Sequence, residues 1–377
     1  MPTTKLDVKI HRSNYEHPIV VCQSGSARDL GDVFDRLGFF KGRRALVLID
    51  QGFARARPDI VQALKKIFPQ KKNLYFAVPG RESSKSLAFA TKILGKMVDT
   101  GLTRGDFCLA VGGGVVGDLG GFVASLYHRG IDVVHMPTTL LSMVDSSLGG
   151  KTAVNHPQGK NLIGTFHQPA AVIQVLDFVQ SLSHDDFQSG LGEVFKYAVG
   201  FNARLFGYLK TNTAAIHNRN SDTLMRVILE SAKIKAKIVG ADERETGVAR
   251  LRKNVGPNDR RLLNLGHTLG HGIEKAYKLP HGVAVAVGVT LAAKLSRELK
   301  LCSHQCYDDI MELASGLALK TEENFDWRLK DVMPYVLRDK KIVAGRVQFV
   351  AIRSIGRAMI RPTRFNEFKL LVRGKRE

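Results

Sequence analysis

The chain has 377 residues, 44% of them hydrophobic, with four cysteines and a formal net charge of +21; it is long enough for two domains, has no disulfide framework, and its thiols suit the reducing cytoplasm. Its longest nearly uninterrupted apolar segment, Gly282–Ala293, is too short to span a bilayer, and its N-terminus lacks the apolar run of a signal peptide. The basic residues are spread along the whole chain without zinc-finger spacing or an aromatic RNA-binding signature, which argues against a nucleic-acid partner and for a surface that attracts anionic small molecules.

Arg44–Asp50 (RALVLID) predicts a buried strand ending in an acid, and an acid there suits the ribose hydroxyls of a dinucleotide. Pro58–Ile67 is amphipathic and predicts a helix, Asn73–Val78 a strand, and a further helix begins near Ser84. The strand Phe107–Val111 runs into Gly112-Gly-Gly-Val-Val-Gly-Asp-Leu-Gly-Gly121, with a helix predicted over Phe122–His128. Strand, glycine turn and helix start in that order form a phosphate cradle. The glycines admit an anion close to the backbone, and the helix start offers unpaired N–H groups. Ile131–Met136 and Ala171–Leu176 complete the strands, and the alternation argues for an α/β domain over residues 1–180. From 181 onward helical periodicity dominates, in Asp185–Val199, Ala203–Asn212, Ser221–Val239, Leu262–Ala276 and His281–Leu299. One strand pair is expected at Val347–Ile352 and Ala358–Arg361, and Arg250–Arg260 reads as an exposed loop. The fold class is therefore α/β plus α: a Rossmann-like α/β domain over 1–180 and a mostly α-helical domain over 181–377.

Four clusters carry chemistry. The first, MVDSSLGGK (143–151) with GKNLIG (159–164), sets Lys151, Lys160, Asn161 and Asp145 in glycine-rich turns that suit an anionic ligand. The second, GLGEVFKY (190–197), puts Glu193 and Lys196 on one helix face. In the third, His267 and His271 stand one helical turn apart, His281 follows, and each is flanked by glycine; His267, His281 and Glu193 form a candidate His₂Glu metal site. The fourth is RDKK (338–341).

Taken together, the phrases GGGVVGD, MPTTLLSMVDSSLGGKTAVNHPQGKNLIG, GLGEVFKY, KAKIVGADERETG, LLNLGHTLGH and RDKK resemble 3-dehydroquinate synthases, of the sugar-phosphate cyclase superfamily. The resemblance runs in family order from Asp50 to Lys341. It implies an NAD-binding α/β domain, an α-helical metal- and substrate-binding domain, bound NAD and a divalent metal (zinc, with cobalt as the alternative). The metal ligands it implies are Glu193, His267 and His281. NAD would be held by Asp50, Glu82, Lys85, Gly113, Gly114, Val115, Asp118, Thr138, Thr139, Asp145 and Ser181, the last standing where the family usually has threonine. The substrate's phosphate and carboxylate would meet Lys151, Lys160, Asn161, Lys196, Lys235, Arg260, Asn264, His271 and one of Lys340 or Lys341. Arg129 looks like the arginine that reaches a neighbouring subunit's site, implying a homodimer. The implied chemistry converts 3-deoxy-D-arabino-heptulosonate 7-phosphate to 3-dehydroquinate and phosphate. It proceeds by transient oxidation, β-elimination, re-reduction and intramolecular aldol closure.

Two departures bear on the substrate. The family commonly has glycine and then glutamate after the third metal histidine; here His281-Gly282 is followed by Val283. An insertion over roughly 249–259 adjoins Arg260, making Arg261 and Arg252 rivals for its role. The alternatives are a related cyclase such as 2-deoxy-scyllo-inosose synthase, and a metal-dependent alcohol dehydrogenase of the glycerol dehydrogenase type.

Overall fold

The computed structural model describes residues 4–10, 15–38, 40–243, 259–337, 342–343 and 346–364, with 366, 368 and 372. The chain divides into two compact units, Met1–Leu182 and Ser183–Glu377.

The first unit is an α/β layer. Its strands are β1 (Thr4–Ile10), β2 (Tyr15–Cys22), β3 (Ala45–Asp50), β4 (Leu74–Val78), β5 (Phe107–Gly112), β6 (Asp132–Pro137), β7 (Lys151–His156), β8 (Gly159–Phe166) and β9 (Ala171–Val175). Seven of them form one sheet in the order β1-β2-β9-β6-β5-β3-β4, parallel except for the β1–β2 pair. β3, β5 and β6 are almost entirely buried, as their unbroken apolar runs require of strands covered on both faces. The helices are α1 (Ala27–Leu37), α2 (Gln51–Ala56), α3 (Pro58–Ile67), α4 (Leu87–Asp99), α5 (Gly114–Leu126) and α6 (Asp177–Gln180). Leu46, Leu48, Cys108 and Ala110 of the sheet share one core with Ile93 and Met97 of α4 and Leu119 and Val123 of α5.

Helix α5 begins at Gly114, not at Phe122 as the sequence suggests; most of the glycine run is itself helical. The glycines serve packing. A Cβ at Gly120 would come 2.8 Å from the Ala110 Cβ, and one at Gly121 would overlap the Thr152 side chain. Lys151, Lys160 and Asn161 also lie elsewhere than expected: not in turns but on the antiparallel β7–β8 hairpin, a separate two-stranded sheet.

Two buried histidines give this unit an acid sensitivity. His17 on β2 and His135 on β6 are 1% and 6% exposed. Burial pushes both pKa values down to about 4, His17 and His167 adding to the effect at His135. Both rings are neutral in the folded state, while the unfolded chain takes up protons below about pH 6.5. Stability from this source is complete above pH 6.5 and is lost as the pH falls toward 4, by up to about 3 kcal/mol per histidine. Amide exchange in β2 and β6 should accelerate over that window; protection that is flat from pH 7 to 4 contradicts this account.

The second unit is mostly helical: α7 (His184–Phe201), α8 (Ala203–Thr211), α9 (Thr213–His217), α10 (Ser221–Ala241), α11 (His267–Tyr277), α12 (His281–Glu298), α13 (His304–Gly316) and α14 (Leu329–Leu337). A small antiparallel sheet follows: β10 (Ile342–Val343), β11 (Arg346–Ser354) and β12 (Arg357–Arg364). α7 and α12 are buried along nearly their whole length; α12 is apolar on almost every side, as such a helix must be, while α7 buries the paired Glu193 and Lys196. The expected single helix Leu262–Ala276 is instead a short 3₁₀ turn, Arg260–Asn264, and then α11, broken by Gly266 at φ 77°. Among the described residues no helix is long and apolar enough to cross a membrane.

Candidate active site

In the first unit the predicted cofactor residues gather at the C-terminal ends of the parallel strands. The strand order reverses direction between β3 and β5, which is where open α/β sheets bind ligands. Asp50 closes β3 and caps α2, its Oδ1 accepting from the Phe53 N–H at 2.8 Å. A Cβ at Gly80 would overlap the Asp50 carboxylate, so a larger residue there would displace it. Gly113 caps α5, and Gly114 and Val115 open its first turn, where backbone N–H groups stand unpaired. Thr138 bonds back to the Gly112 carbonyl at 3.0 Å, and the Thr139 hydroxyl lies 2.8 Å from that of Ser142. Asp145 sits in a π-helical turn, Ser142–Ser146, a rare geometry that recurs at functional sites. The buried Gln174 side chain braces this turn, donating to the Met143 carbonyl at 2.7 Å. Ser181 is exposed at the end of α6.

Lys85 ties two of these sets together. Its ammonium is 5% exposed and donates to Asp118 Oδ2 and to Asn161 Oδ1, each at 2.6 Å. Burial pushes the Asp118 carboxyl up, and Lys85 opposes that shift. Asn161 has a left-handed φ of 55°, and its N–H donates to Asn155 Oδ1 at 2.9 Å. Asn155 also donates to Glu82 Oε1 at 2.8 Å. Lys151 and Lys160 are exposed on the hairpin, and Arg129 is exposed at a turn with φ 67°.

In the second unit Glu193, His267 and His281 converge. Each neighbours a glycine at which two helices touch backbone to backbone. A Cβ at Gly192 would overlap the Gly282 carbonyl, one at Gly282 the Ser189 carbonyl, and one at Gly288 the Gly266 carbonyl. The Glu193 carboxylate is fully buried and pairs with the Lys196 ammonium, itself 2% exposed. Glu193 Oε1 lies 3.6 Å from His267 Nε2 and 3.5 Å from His281 Nε2. His267 donates its Nδ1–H to the Leu265 carbonyl at 2.9 Å, and His281 donates its Nδ1–H to Glu274 Oε2 at 2.9 Å. Both Nε2 atoms therefore face the carboxylate. A proton or a metal ion must lie between a ring nitrogen and the carboxylate it faces, and a tetrahedral zinc with bonds near 2.0–2.1 Å separates its ligand atoms by about 3.4 Å, close to the spacing here. Burial lowers the His281 pKa, but Glu193 and Glu274 raise it further, to about 9. The donor set thus fits a divalent ion. The ring nitrogens of His267, His271 and His281 also lie within 4.8 Å of one another, which brings His271 to the same point.

Other expected residues fall differently. Lys235 is buried on α10, and Asn264 donates to the Arg261 carbonyl at 3.2 Å. Arg260 is turned inward, 1% exposed, donating to the Asp242 and Glu243 carbonyls, so its guanidinium closes the end of α10. Its rival Arg261 pairs with Asp259 at 2.7 Å. Arg252, most of the insertion, Arg338, Lys340 and Lys341 lie outside the described residues. Sequence reasoning missed Glu274, although it falls seven residues after His267 on the same helix face, and Ser146. The Ser146 hydroxyl is buried beside Gly114, without a hydrogen-bond partner among the described residues.

The two-unit fold, a parallel sheet with a glycine-opened cradle at its switch point joined in one chain to a helical unit, is shared with solved enzyme structures. The solved 2-deoxy-scyllo-inosose synthase complexed with carbaglucose-6-phosphate, NAD⁺ and Co²⁺ matches with a TM-score of 0.84 at 21% identity, covering 98% of this chain and 99% of that one. The 2-epi-5-epi-valiolone synthase of Streptomyces hygroscopicus subsp. jinggangensis 5008, with NAD⁺ and Zn²⁺ bound, matches at 0.80 and 24% identity over 95% and 94%. In sequence, the profile for 3-dehydroquinate synthase N-terminal matches residues 75–189 and that for 3-dehydroquinate synthase C-terminal matches 190–342. The 3-dehydroquinate synthase of Idiomarina loihiensis is 42% identical over 289 residues, 76% of this chain and 77% of that protein. The chain belongs to the 3-dehydroquinate synthase family.

Proposed function

We propose that this enzyme converts 3-deoxy-D-arabino-heptulosonate 7-phosphate to 3-dehydroquinate and phosphate, a lyase step of the shikimate pathway, with bound NAD and a divalent ion, zinc or cobalt. The observation that carries the reading is the convergence of Glu193, His267 and His281, with Lys196 and His271 at the same point. When bound, NAD exchanges a hydride with the substrate, and the ion polarises the reacting hydroxyl.

The chain's own residues do the rest. Glu193, His267 and His281 hold the ion. Asp50, the α5 N-terminus, Thr138, Thr139, Lys85 and Asp118 hold the nucleotide, the helix start taking its phosphates. Lys196 balances the charge of the buried Glu193 carboxylate. Lys151, Lys160, Lys235 and Asn264 supply donors for a substrate bearing phosphate and carboxylate, which must be held rigidly. Lys85 orients the Asn161 amide by binding its Oδ1. His271 is placed to exchange a proton with a substrate oxygen beside the ion. Arg129, exposed at its turn, reaches the site of a second copy, so the working unit is a homodimer. The free cysteines suit a cytoplasmic enzyme.

The test is phosphate release from the heptulosonate phosphate with zinc and sub-stoichiometric NAD⁺. Turnover should continue for many cycles with no net NADH. NADH rising in step with product marks a dehydrogenase. Phosphate release from glucose 6-phosphate, and none from the heptulosonate, marks a 2-deoxy-scyllo-inosose synthase.

A further inference from the structure

We infer that Glu274 is a positioning residue for the metal centre: its carboxylate locks the His281 ring and supplies the site's second negative charge. The inference rests on the metal-site reading above and concerns a residue outside the ligand set. His267, His271 and Glu274 follow one another at intervals of four and three along α11, so all three project from one face of that helix. His281 begins the next helix, and its Nδ1–H meets Glu274 Oε2 at 2.9 Å. The Glu274 side chain is 15% exposed, so water competes weakly for that bond.

The contact does two things. It fixes which nitrogen is available: with Nδ1–H held by Glu274, Nε2, 3.5 Å from Glu193 Oε1, is the atom left to bind an ion. It also makes His281 a different ligand from His267, whose Nδ1–H meets a neutral carbonyl, that of Leu265. A carboxylate partner raises the basicity of the ring it holds and strengthens its bond to a metal. The charges point the same way. Glu193 is matched by Lys196, so that pair sums to zero. A divalent ion added to it would leave two charges uncompensated in a largely buried site, at high cost. Glu274 removes one of them, and the remaining one suits an ionised oxygen of the substrate. Position 283, the residue after Gly282, is a buried valine and offers no charge. The second carboxylate comes from the neighbouring helix.

The test is the zinc affinity of the purified full-length protein, measured by competition with a chromophoric chelator, together with the visible spectrum of the cobalt form. Glu274→Ala should bind zinc about 10–100-fold more weakly and shift the cobalt bands. Glu274→Gln, which keeps an acceptor and loses the charge, should fall between it and the parent. Excess zinc should restore most of the turnover of Glu274→Ala, which a purely structural defect would not allow. If Glu274→Ala does not fold, Glu274→Gln carries the test by the same criteria. Parental zinc affinity and an unchanged cobalt spectrum in the variants overturn the inference. A parent protein that binds no zinc or cobalt fails differently: it removes the metal-site reading and this inference with it.

Discussion

Replacing His267 with alanine should strip the divalent ion from the protein and lower kcat/KM by about a thousandfold, the loss of several kcal/mol of charge stabilisation at the reacting oxygen. The Nδ1–H of His267 is tied to the Leu265 carbonyl, which leaves its Nε2 facing Glu193 Oε1 at 3.6 Å. Alanine removes that nitrogen and leaves the Glu193–Lys196 pair intact, so the second unit should stay folded. Metal content after gel filtration is the direct readout, with circular dichroism as the control for folding. Stoichiometric metal held with unchanged affinity would falsify the ligand assignment.

Gly282→Ala should be the most damaging single-methyl change in the second unit. The added Cβ would overlap the Ser189 carbonyl, and backbone has no rotamer by which to yield. Overpacking of this kind costs about 3 kcal/mol, or about 6–12 °C in the melting temperature of a unit this size. Zinc affinity should fall as well, because separating α7 from α12 moves Glu193 away from His281. Trp327 is the chain's single tryptophan and is buried in this unit, so its fluorescence reports the transition. Gly207→Ala on α8 is the matched control. Nothing lies within 4 Å of a Cβ there, and alanine in an open helical position should stabilise by about 0.5–1 kcal/mol. Equal melting temperatures and zinc affinities for Gly282→Ala and the parent would rule out the backbone-contact account.

The strands β3, β5, β6 and β9 were legible because a covered parallel strand must be apolar along its length, and no other local pattern imitates that. The glycine run was harder. It reads as a flexible turn, yet its later members are helix glycines chosen for close packing on Ala110 and Thr152, a tertiary demand with no local signature. The β7–β8 hairpin escaped notice because its alternating burial is not written as apolar–polar alternation: Thr152 is buried while Leu162 and Phe166 are exposed. The break at Gly266 was hidden because helical periodicity continues across it. At the site, the flanking glycines made Glu193, His267 and His281 stand out. Glu274 looked like an ordinary helix-surface acid, since its partner sits on another helix. Arg260 is buried and donates from Nη1 to the Asp242 and Glu243 carbonyls, a tertiary contact that no local pattern announces.

Lys85 has a consequence for how ligands are taken up. It grips Asp118 and Asn161 with one ammonium, while its own carbonyl receives the N–H of Asn155 at 2.7 Å. Asp118 belongs to the proposed nucleotide set and Asn161, on the hairpin, to the proposed substrate set. A molecule that draws on either partner alters what Lys85 offers the other. The two affinities are then linked, and thermodynamics requires the factor by which nucleotide changes substrate binding to equal the factor by which substrate changes nucleotide binding. The direction of that coupling is read directly by measuring NAD affinity with and without substrate, and Lys85→Ala should bring the factor toward one.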